Sequence, residues 1–328
     1  MQTRSIVVEA PGGPDQMHWR SLELPAPGPG EVRVRHEAIG VNFIDIYYRE
    51  GLYPLPAWPG GLGMEAAGVV EALGPGVTEV AVGDRVAYAG GSPGAYAEAR
   101  NLPAERLVPL PEDLSCETAA AALLKGMTAE YLLCRLWPLK PGDPVLVHAA
   151  AGGVGLLLCQ WARQRGLRVL GTVGSPDKAR LAEAHGCEVP ICYRDEDFVD
   201  RVRRETFGEG VAVVFDSVGR DTFDGSLDCL RPRGLLALYG QSSGPVPPFD
   251  PAVLARKGSL FLTRPTLFTY TARREDLLAS ARALFDRIRD GTLQVAIGGR
   301  YPLAEARQAH RDLQARATTG SLLLIPED

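Results

Sequence analysis

The sequence has no long hydrophobic run and no cluster of basic residues. No apolar stretch among its 328 residues approaches the ~20 residues that a membrane-spanning helix needs. The first ten residues are polar and then strand-like, without the apolar core of a secretion signal. The net charge is −5, and no basic run exceeds a few residues, which argues against nucleic acid as a partner. These absences predict a cytoplasmic protein without a membrane or nucleic-acid partner.

Cysteine pairs at metal-binding or redox spacing are also missing. The six cysteines are scattered, none precedes Cys116, and no two have C-x-x-C spacing. We therefore expect reduced, mostly buried thiols rather than disulfides or a metal cluster. The content of 45% hydrophobic and 23% charged residues is that of a globular protein, and the length suffices for two domains.

The most informative stretch is glycine-rich and runs from Val145 to Gly155. The apolar residues 145–147 predict a buried strand, and the spacing of Leu157, Leu158 and Trp161 predicts a helix with one apolar face. Strand, glycine turn and helix in this order present backbone N–H groups and a positive helix end to a pyrophosphate. Aligned to G-x-G-x-x-G, the turn has alanine at the first glycine position. A plain tight turn is the alternative, and the context favours dinucleotide binding.

The strand pattern divides the chain into two predicted domains. Residues 1–112 contain short strand-like runs between glycine and proline turns, which is typical of a compact barrel or sandwich. From 113 to 264 strands alternate with helices, which predicts a doubly wound parallel sheet of the Rossmann type. The predicted strands of this sheet are 145–147, 168–173, 189–193, 211–215, 234–239 and 259–263. The predicted helices include 117–133, one capped by Ser175, and 196–206.

After residue 264 the alternation stops. A helix over 274–289, a second over 303–314 and an apolar run over 322–325 follow. Because six strands complete the nucleotide fold, we expect 265–328 to pack back on the first domain and complete it. That arrangement leaves a cofactor cleft between the two domains, and such interfaces commonly bind ligands.

The residues after the second strand bear on the choice of nicotinamide cofactor. NAD sites usually have an acid about 20 residues after the glycine turn, and this chain has Gly174 and Ser175 there. A hydroxyl, the nearby Lys178 and helix N–H groups would hold a 2′-phosphate instead. In the alternative interpretation, Ser175 is only a helix cap and Lys178 only a solvated residue, so neither holds a phosphate. The adjacent acid Asp177 also counts against a phosphate at this position. The absent carboxylate favours NADPH.

The whole chain resembles the medium-chain dehydrogenase/reductase superfamily, and within it the zeta-crystallin-like NADPH:quinone oxidoreductases. The resemblance rests on Val41-Asn-Phe-Ile-Asp-Ile-Tyr47, Gly51-Leu-Tyr-Pro54, His148-Ala-Ala-Ala-Gly-Gly-Val-Gly155, Thr263-Arg-Pro265 and Leu323-Leu-Ile-Pro326. It implies a GroES-like β-barrel domain beside the Rossmann domain. It also implies a homodimer built through the nucleotide domain, where the apolar sixth strand would lie at a sheet edge.

The resemblance also bears on metal binding. Catalytic zinc in related alcohol dehydrogenases uses cysteine and histidine ligands beside a G-H-E motif. The matching stretch here is Gly63-Met64-Glu65, with methionine in place of histidine, and the first 115 residues lack cysteine. We therefore expect no metal, and we expect Glu65 to be structural, bonding a neighbouring loop.

The resemblance implies a set of site residues. Asn42, Tyr47 and Tyr53 would line the nicotinamide and acceptor pocket, with Tyr47 stabilising or protonating a developing oxyanion. In the alternative interpretation these side chains only satisfy turns in a Gly/Pro-rich loop. His148 is expected to be a packed residue, and no Ser-His-Asp arrangement stands out. The implied cofactor contacts are Asn42, Thr128 near a helix start, Ala151, Gly152, Gly153, Val154, Gly174, Ser175, Lys178, Tyr193, Ser217, Gly240, Gln241, Ser242, Arg264 and Arg316.

The function predicted from these residues is a zinc-independent NADPH-dependent reductase of quinones. The first alternative is a 2-alkenal or enoyl reductase acting on α,β-unsaturated carbonyls. The second is a non-catalytic NADPH- or RNA-binding protein, for which the acidic sequence without a basic and aromatic stripe offers little support.

Overall fold

The chain forms two compact units in a computed structural model that describes residues 1–327. The first unit comprises 1–127, 270–291 and 295–328, and the second comprises 128–269 and 292–294. The domain limits expected from the sequence, at 112/113 and 264/265, stay predictions. Among the described residues, no helix is long and apolar enough to cross a membrane.

The first unit is built on two sheets. Its strands are β1 (Gln2–Val8), β2 (Met17–Glu23), β3 (Glu31–Val41), β4 (Gly60–Gly61), β5 (Glu65–Leu73), β6 (Arg85–Ala89), β7 (Ala99–Pro103), β8 (Val108–Pro109), β15 (Ile297–Pro302) and β16 (Ser321–Ile325). A seven-stranded sheet has the order β15-β16-β3-β5-β6-β8, with β7 pairing β3, and a three-stranded sheet has the order β2-β1-β4.

Two segments of the chain supply helices that accompany these sheets. Near the N-terminus α1 (Phe43–Arg49) follows directly on β3, and near the C-terminus lie α9 (Arg274–Arg289) and α10 (Ala306–Gln314). Short 3₁₀ turns occupy Pro14–Gln16, Ala104–Arg106 and Leu303–Glu305. The predicted helix over 303–314 therefore begins as a 3₁₀ turn, and only its second part is α-helical.

The C-terminal segment contributes to the core of the first unit. Strand β16 pairs antiparallel with β3, with Leu322 opposite Val41 and Leu324 opposite Ile39. Leu303, Ala306 and Ala309 join the same buried apolar cluster. Strand β16 thus supports the end of β3, directly before α1.

The second unit contains the predicted parallel sheet. Its strands are β9 (Pro144–Val147), β10 (Arg168–Val173), β11 (Val189–Cys192), β12 (Val211–Asp216), β13 (Leu230–Leu238) and β14 (Phe261–Thr263). Their order in the sheet is β11-β10-β9-β12-β13-β14, which is the Rossmann order, and every pairing is parallel. The predicted doubly wound sheet is confirmed, although β11 ends before Tyr193 and β14 is shorter than expected.

Helices connect these strands. They are α3 (Gly153–Gln164), α4 (Pro176–Ala184), α5 (Phe198–Glu205), α6 (Phe223–Cys229) and α7 (Ala252–Arg256), followed by the short α8 (Leu267–Tyr270). Helix α2 (Cys116–Cys134) precedes them in the chain. Its residues up to Met127 belong to the first unit, and those from Thr128 belong to the second. Helix α5 is shorter than the predicted 196–206 because Asp197 caps it, accepting bonds from the N–H groups of Val199 and Asp200.

Candidate active site

The glycine turn between β9 and α3 leaves the start of a helix without a side-chain cap. Gly152 is the N-cap residue, and it makes no side-chain cap hydrogen bond. Residues 152–154 are only partly buried, so their backbone remains approachable. Ala149, which opens the turn, adopts a left-handed backbone with φ of +53°. An uncapped, accessible helix start of this kind suits a phosphate group.

Two glycines account for the shape of this turn. A Cβ at Gly155 would collide with the carbonyl oxygen of Ala149 and lie 2.8 Å from the carbonyl carbon of Ala150. Ala150 occupies the position where the motif has its first glycine. Its methyl group is accommodated because β10 has glycine opposite, where a Cβ at Gly171 would lie 2.6 Å from the Ala150 Cβ. The space that the motif usually provides at its first position is therefore provided by the neighbouring strand.

The residues predicted to hold a 2′-phosphate gather at the end of β10. Ser175 caps α4, with its hydroxyl 3.4 Å from the backbone nitrogen of Lys178. A Cβ at Gly174 would lie 2.8 Å from the hydroxyl of Tyr193, so the tyrosine hydroxyl lies against this turn. Asp177 pairs with Arg180, and both side chains are exposed. Asp177, whose charge would disfavour a bound phosphate, is thus paired with Arg180 of the same helix.

The ends of β12 and β13 form a second tight junction. A Cβ at Gly240 would lie 2.7 Å from the carbonyl oxygen of Ser217, which accepts a 3.0 Å hydrogen bond from the N–H of Ser242. Gln241 lies between these residues, and Arg264 is exposed just after β14.

Two of the residues predicted to contact the cofactor, Thr128 and Arg316, lie outside these strand ends and the glycine turn. Thr128 is buried well inside α2 and not near its start, because the helix begins at Cys116. Arg316 follows the C-terminal end of α10, is exposed, and has φ of +56°.

In the first unit, Asn42, Tyr47 and Tyr53 belong to or flank a helix. Asn42 is the N-cap residue of α1 and Tyr47 lies within that helix, so the Gly/Pro-rich loop assumed by the alternative interpretation does not include them. Tyr47 is buried, and its ring meets the ring of Tyr53 edge-on with centroids 5.4 Å apart. The N–H of Tyr53 donates to the carbonyl of Tyr47 at 3.1 Å. The two tyrosines therefore form one aromatic wall.

Asn42 is connected to a fully buried carboxylate. Its amide nitrogen donates to Oε2 of Glu65 at 2.9 Å, and Lys125 Nζ contacts the same oxygen at 3.1 Å. The other carboxylate oxygen accepts from the N–H of Leu124 at 2.6 Å. Glu65 is thus structural, as predicted, but it bonds helix α2 and Asn42 rather than a loop. Within residues 1–327 no group of three or more His, Cys, Asp or Glu side chains is arranged to hold a metal ion.

A buried polar chain that the sequence did not reveal lies beneath α1. The Tyr96 hydroxyl donates to Asp45 at 3.0 Å and lies 3.0 Å from Nε2 of His310, whose Nδ1 lies 3.0 Å from Arg49. Asp45 also accepts from the N–H of Asn42 at 2.8 Å. Burial raises the pKa of Asp45 to about 7, against the hydrogen bonds from Asn42 and Tyr96. The second oxygen of Asp45 has no partner among the described residues.

His148 lies in a comparable chain in the second unit. Its Nδ1 lies 2.9 Å from the Thr172 hydroxyl and its Nε2 3.0 Å from the Ser226 hydroxyl, which in turn donates to Asp216 at 2.9 Å. Burial lowers the pKa of His148, and Asp216 opposes that shift. Serine, histidine and aspartate do meet here, but the serine lies between the other two and is fully buried. The arrangement is not a hydrolytic triad, in which histidine would be central, and it braces the strand ends that carry the nucleotide loops.

Comparisons with known proteins match both parts of the chain. Residues 28–112 fit the family model described as alcohol dehydrogenase GroES-like domain, and residues 153–279 fit the one described as zinc-binding dehydrogenase. A quinone oxidoreductase of Pseudomonas aeruginosa is 51% identical, and the match covers 98% of this chain and 99% of that protein. A 2-haloacrylate reductase of a Burkholderia species is 46% identical, with coverage of 98% and 99%.

A solved structure also matches the chain over nearly its whole length. The quinone oxidoreductase of Escherichia coli complexed with NADPH matches with a TM-score of 0.97 and 46% identity, covering 99% of this chain and all of that one.

Proposed function

From the premise that this chain belongs to the quinone oxidoreductase family of medium-chain dehydrogenases/reductases, we propose that it reduces quinones with NADPH. The observation that carries the proposal is the match of 99% of the chain to a quinone oxidoreductase complexed with NADPH, at 46% identity. The GroES-like and dehydrogenase family models, which match successive parts of the sequence, agree with it.

The residues around the glycine turn fit a phosphorylated dinucleotide. The uncapped start of α3, at Ala151, Gly152, Gly153 and Val154, would hold the pyrophosphate. Ser175, Lys178 and Tyr193 would hold the 2′-phosphate, where the carboxylate expected of an NAD site is absent. We propose that the remaining contacts come from Thr128, Ser217, Gly240, Gln241, Ser242, Arg264 and Arg316.

The acceptor would meet the residues of α1 and the following loop. NADPH, when bound, supplies the hydride, so the protein has to orient the acceptor and exclude water. The edge-on pair of Tyr47 and Tyr53 forms an apolar corner with two hydroxyl groups, and one ring face of this corner suits stacking by a planar acceptor. A tyrosine hydroxyl can donate a hydrogen bond to the oxyanion that forms on the acceptor. We propose Tyr47 for this role because it is the more buried of the two.

Replacement of Lys178 by alanine should raise the KM for NADPH about tenfold, the effect of losing one charge-assisted bond to the 2′-phosphate. The KM for NADH should hardly change, since NADH lacks that phosphate. Glu183→Ala is the control, because Glu183 is exposed on the same helix and lies near its C-terminal end. Steady-state kinetics with both cofactors would test this. An equal loss with NADPH and NADH would mean that Lys178 only supports α4.

The order of acceptors tests the proposed activity directly. The chain lacks the cysteine and histidine ligands of zinc relatives, with Met64 at the histidine position, so no Lewis acid is built in to polarise a carbonyl oxygen. Acceptors that take hydride easily should therefore react best, with quinones first, conjugated enones second and saturated aldehydes inert. NADPH oxidation should be compared for 1,4-benzoquinone, 9,10-phenanthrenequinone, an alkenal and a saturated aldehyde, each corrected for its uncatalysed rate.

Reduction of α,β-unsaturated carbonyls is the second candidate function. The 46% identity to a 2-haloacrylate reductase favours it, because that name describes reduction of a conjugated acid. If the alkenal or 2-chloroacrylate exceeded every quinone in kcat/KM, this candidate would replace the first. Binding of NADPH without oxidation by any acceptor would instead point to a non-catalytic protein.

We propose a homodimer that forms through β14. This strand is at the edge of the six-stranded sheet, and its Phe261 is half exposed while packing on Trp137 with ring centroids 5.1 Å apart. Exposed apolar edges of this kind tend to be paired. Light scattering should give twice the chain mass of 35.2 kDa, and Phe261→Lys should shift it toward one chain. A single-chain mass for the unaltered protein at micromolar concentration would refute the dimer.

We also propose that the protein works in the cytoplasm. All six cysteines are free, as expected where thiols are kept reduced. Fractionation of the source cells would test this location, and recovery in a secreted fraction would oppose it.

A further inference from the structure

The fully buried Glu65 joins three elements at the start of α1. It begins β5, receives the amide of Asn42 from the end of β3, and receives two donors from α2. We propose that Glu65 and Lys125 are positioning residues that fix the amide of Asn42 for the bound nicotinamide. The inference rests on the proposed function, in which Asn42 lines the nicotinamide pocket.

The polarity of the contact determines which way the amide faces. An ionised carboxylate can only accept hydrogen bonds, so the NH₂ group of Asn42 has to face Glu65. Rotating the amide would place its oxygen against Oε2 of Glu65, where two acceptors would meet. Because Asn42 is itself buried, such a mismatch has no compensation from water. The carbonyl oxygen of Asn42 is therefore held on the side away from the carboxylate.

Lys125 pairs with the carboxylate that holds Asn42. Its ammonium lies 3.1 Å from Oε2, and both side chains are buried. A buried charge without a partner is costly, and this cation offsets the cost. Lys125 thus acts on Asn42 through Glu65.

The backbone leaves room for this arrangement at one glycine. A Cβ at Gly40 would collide with Oε2 of Glu65 and with the carbonyl oxygen of Ala120. Strand β3 therefore has glycine two residues before Asn42, where the carboxylate passes. The same strand is supported on its other side by β16, with Leu323 opposite Gly40. These contacts fix the backbone that carries Asn42 as well as its side chain.

The test exchanges the carboxylate of Glu65 and the amide of Asn42 between the two positions, in two steps. Glu65→Gln replaces one of the two acceptor oxygens with an NH₂ group, so the donors of Asn42, Lys125 and Leu124 no longer all find an acceptor and the hold on the Asn42 amide is weakened. We expect kcat/KM with NADPH and 1,4-benzoquinone to fall by about 10- to 100-fold, as for one misaligned buried hydrogen bond to a charged group. Adding Asn42→Asp to this variant restores one donor facing one carboxylate at unchanged net charge. The double variant should recover at least tenfold of the lost kcat/KM.

A matched control separates positioning from stability. Glu130 is also buried on α2, where its carboxylate accepts a 3.0 Å hydrogen bond from Arg135. Glu130→Gln should lower the melting temperature without the loss in kcat/KM. Unchanged kinetics for Glu65→Gln, or no recovery in the double variant despite a normal melting temperature, would overturn the inference. Failure of the unaltered protein to oxidise NADPH with any quinone would instead count against the proposed function.

Discussion

Alanine at Gly155 should destabilise the fold, whereas alanine at Gly152 should leave the fold intact and weaken NADPH binding. The new Cβ at 155 would meet backbone atoms of Ala149 and Ala150, which cannot rotate away as a side chain can. A clash with backbone in a packed turn should lower the free energy of unfolding by on the order of 3 kcal/mol. The close approach of α3 to the preceding turn depends on this glycine.

Gly152 is in a different position. Its φ of −82° and ψ of 171° suit any residue, and a Cβ would only approach the carbonyl oxygen of Ala149 at 3.2 Å. The protein therefore tolerates a methyl group there. A bound pyrophosphate would not, because the backbone has to approach it closely at the second glycine of the motif. The dissociation constant for NADPH should rise by on the order of 100-fold.

Unfolding by denaturant and NADPH titration by fluorescence would separate the two variants. Gly171→Ala extends the test, since its Cβ would lie 2.6 Å from the Ala150 Cβ and 2.7 Å from the sulfur of Cys187. It should behave like Gly155→Ala, with lost stability. If Gly152→Ala bound NADPH normally, the pyrophosphate would not lie at this turn.

The sequence alone predicted the second unit well because its signals are local. Each strand of the parallel sheet is a short apolar run, and each is followed by a helix with its own periodicity or cap, as at Ser175. The compensation of Ala150 by Gly171 could not be predicted in this way. It depends on which strand lies beside β9, and that follows from the tertiary structure.

The first unit was harder to predict for the same reason. Helix α1 is seven residues long, and Gly51 and Pro54 follow it, so its surroundings suggest a loop. The chain of Asp45, Tyr96, His310 and Arg49 joins three segments that are far apart in sequence. Nothing in the local pattern of any one segment indicates the other two. The resemblance to known reductases singled out Asn42 and Tyr47, and the contacts that hold them became visible only in the fold.

The buried histidines of this protein should make it sensitive to mild acid. Burial lowers the pKa of His36 to about 4, and burial together with the charge of Arg49 lowers the pKa of His310 to about 3. Burial also lowers the pKa of His148. Each of these groups takes up a proton near pH 6.5 when the chain is unfolded, and only at a lower pH when it is folded. Their contribution to stability is therefore complete above pH 6.5 and is lost as the pH falls toward 4.

Asp45 opposes this trend. Its pKa is raised by burial to about 7, so the folded protein holds a proton that the unfolded chain releases above pH 4. Its contribution is complete below the unfolded pKa of 3.8 and is lost as the pH rises through 7. Near pH 5, His36 and His310 together take up about two protons on unfolding and Asp45 releases about one, and His148 shifts this balance further toward uptake. The net uptake shrinks toward pH 6.5, where the unfolded histidines are only about half protonated. At about 1.4 kcal/mol per proton and pH unit, stability should fall by on the order of 1 to 3 kcal/mol per pH unit near pH 5.

Two variants with opposite effects on the slope test this balance. Asp45→Asn keeps an oxygen that can accept from Asn42 and Tyr96 but cannot bind the extra proton, so its stability should fall more steeply with acid. His36→Gln removes one of the three histidines and should make the fall shallower by about 1.4 kcal/mol per pH unit. Denaturant unfolding between about pH 5 and 7.5 would measure all three slopes. The carboxylates with lowered pKa, such as Glu9 and Asp113, titrate below this window and do not contribute. A stability that is flat over this range in the unaltered protein would mean that the histidines are solvated or paired well enough to bind protons in the folded state.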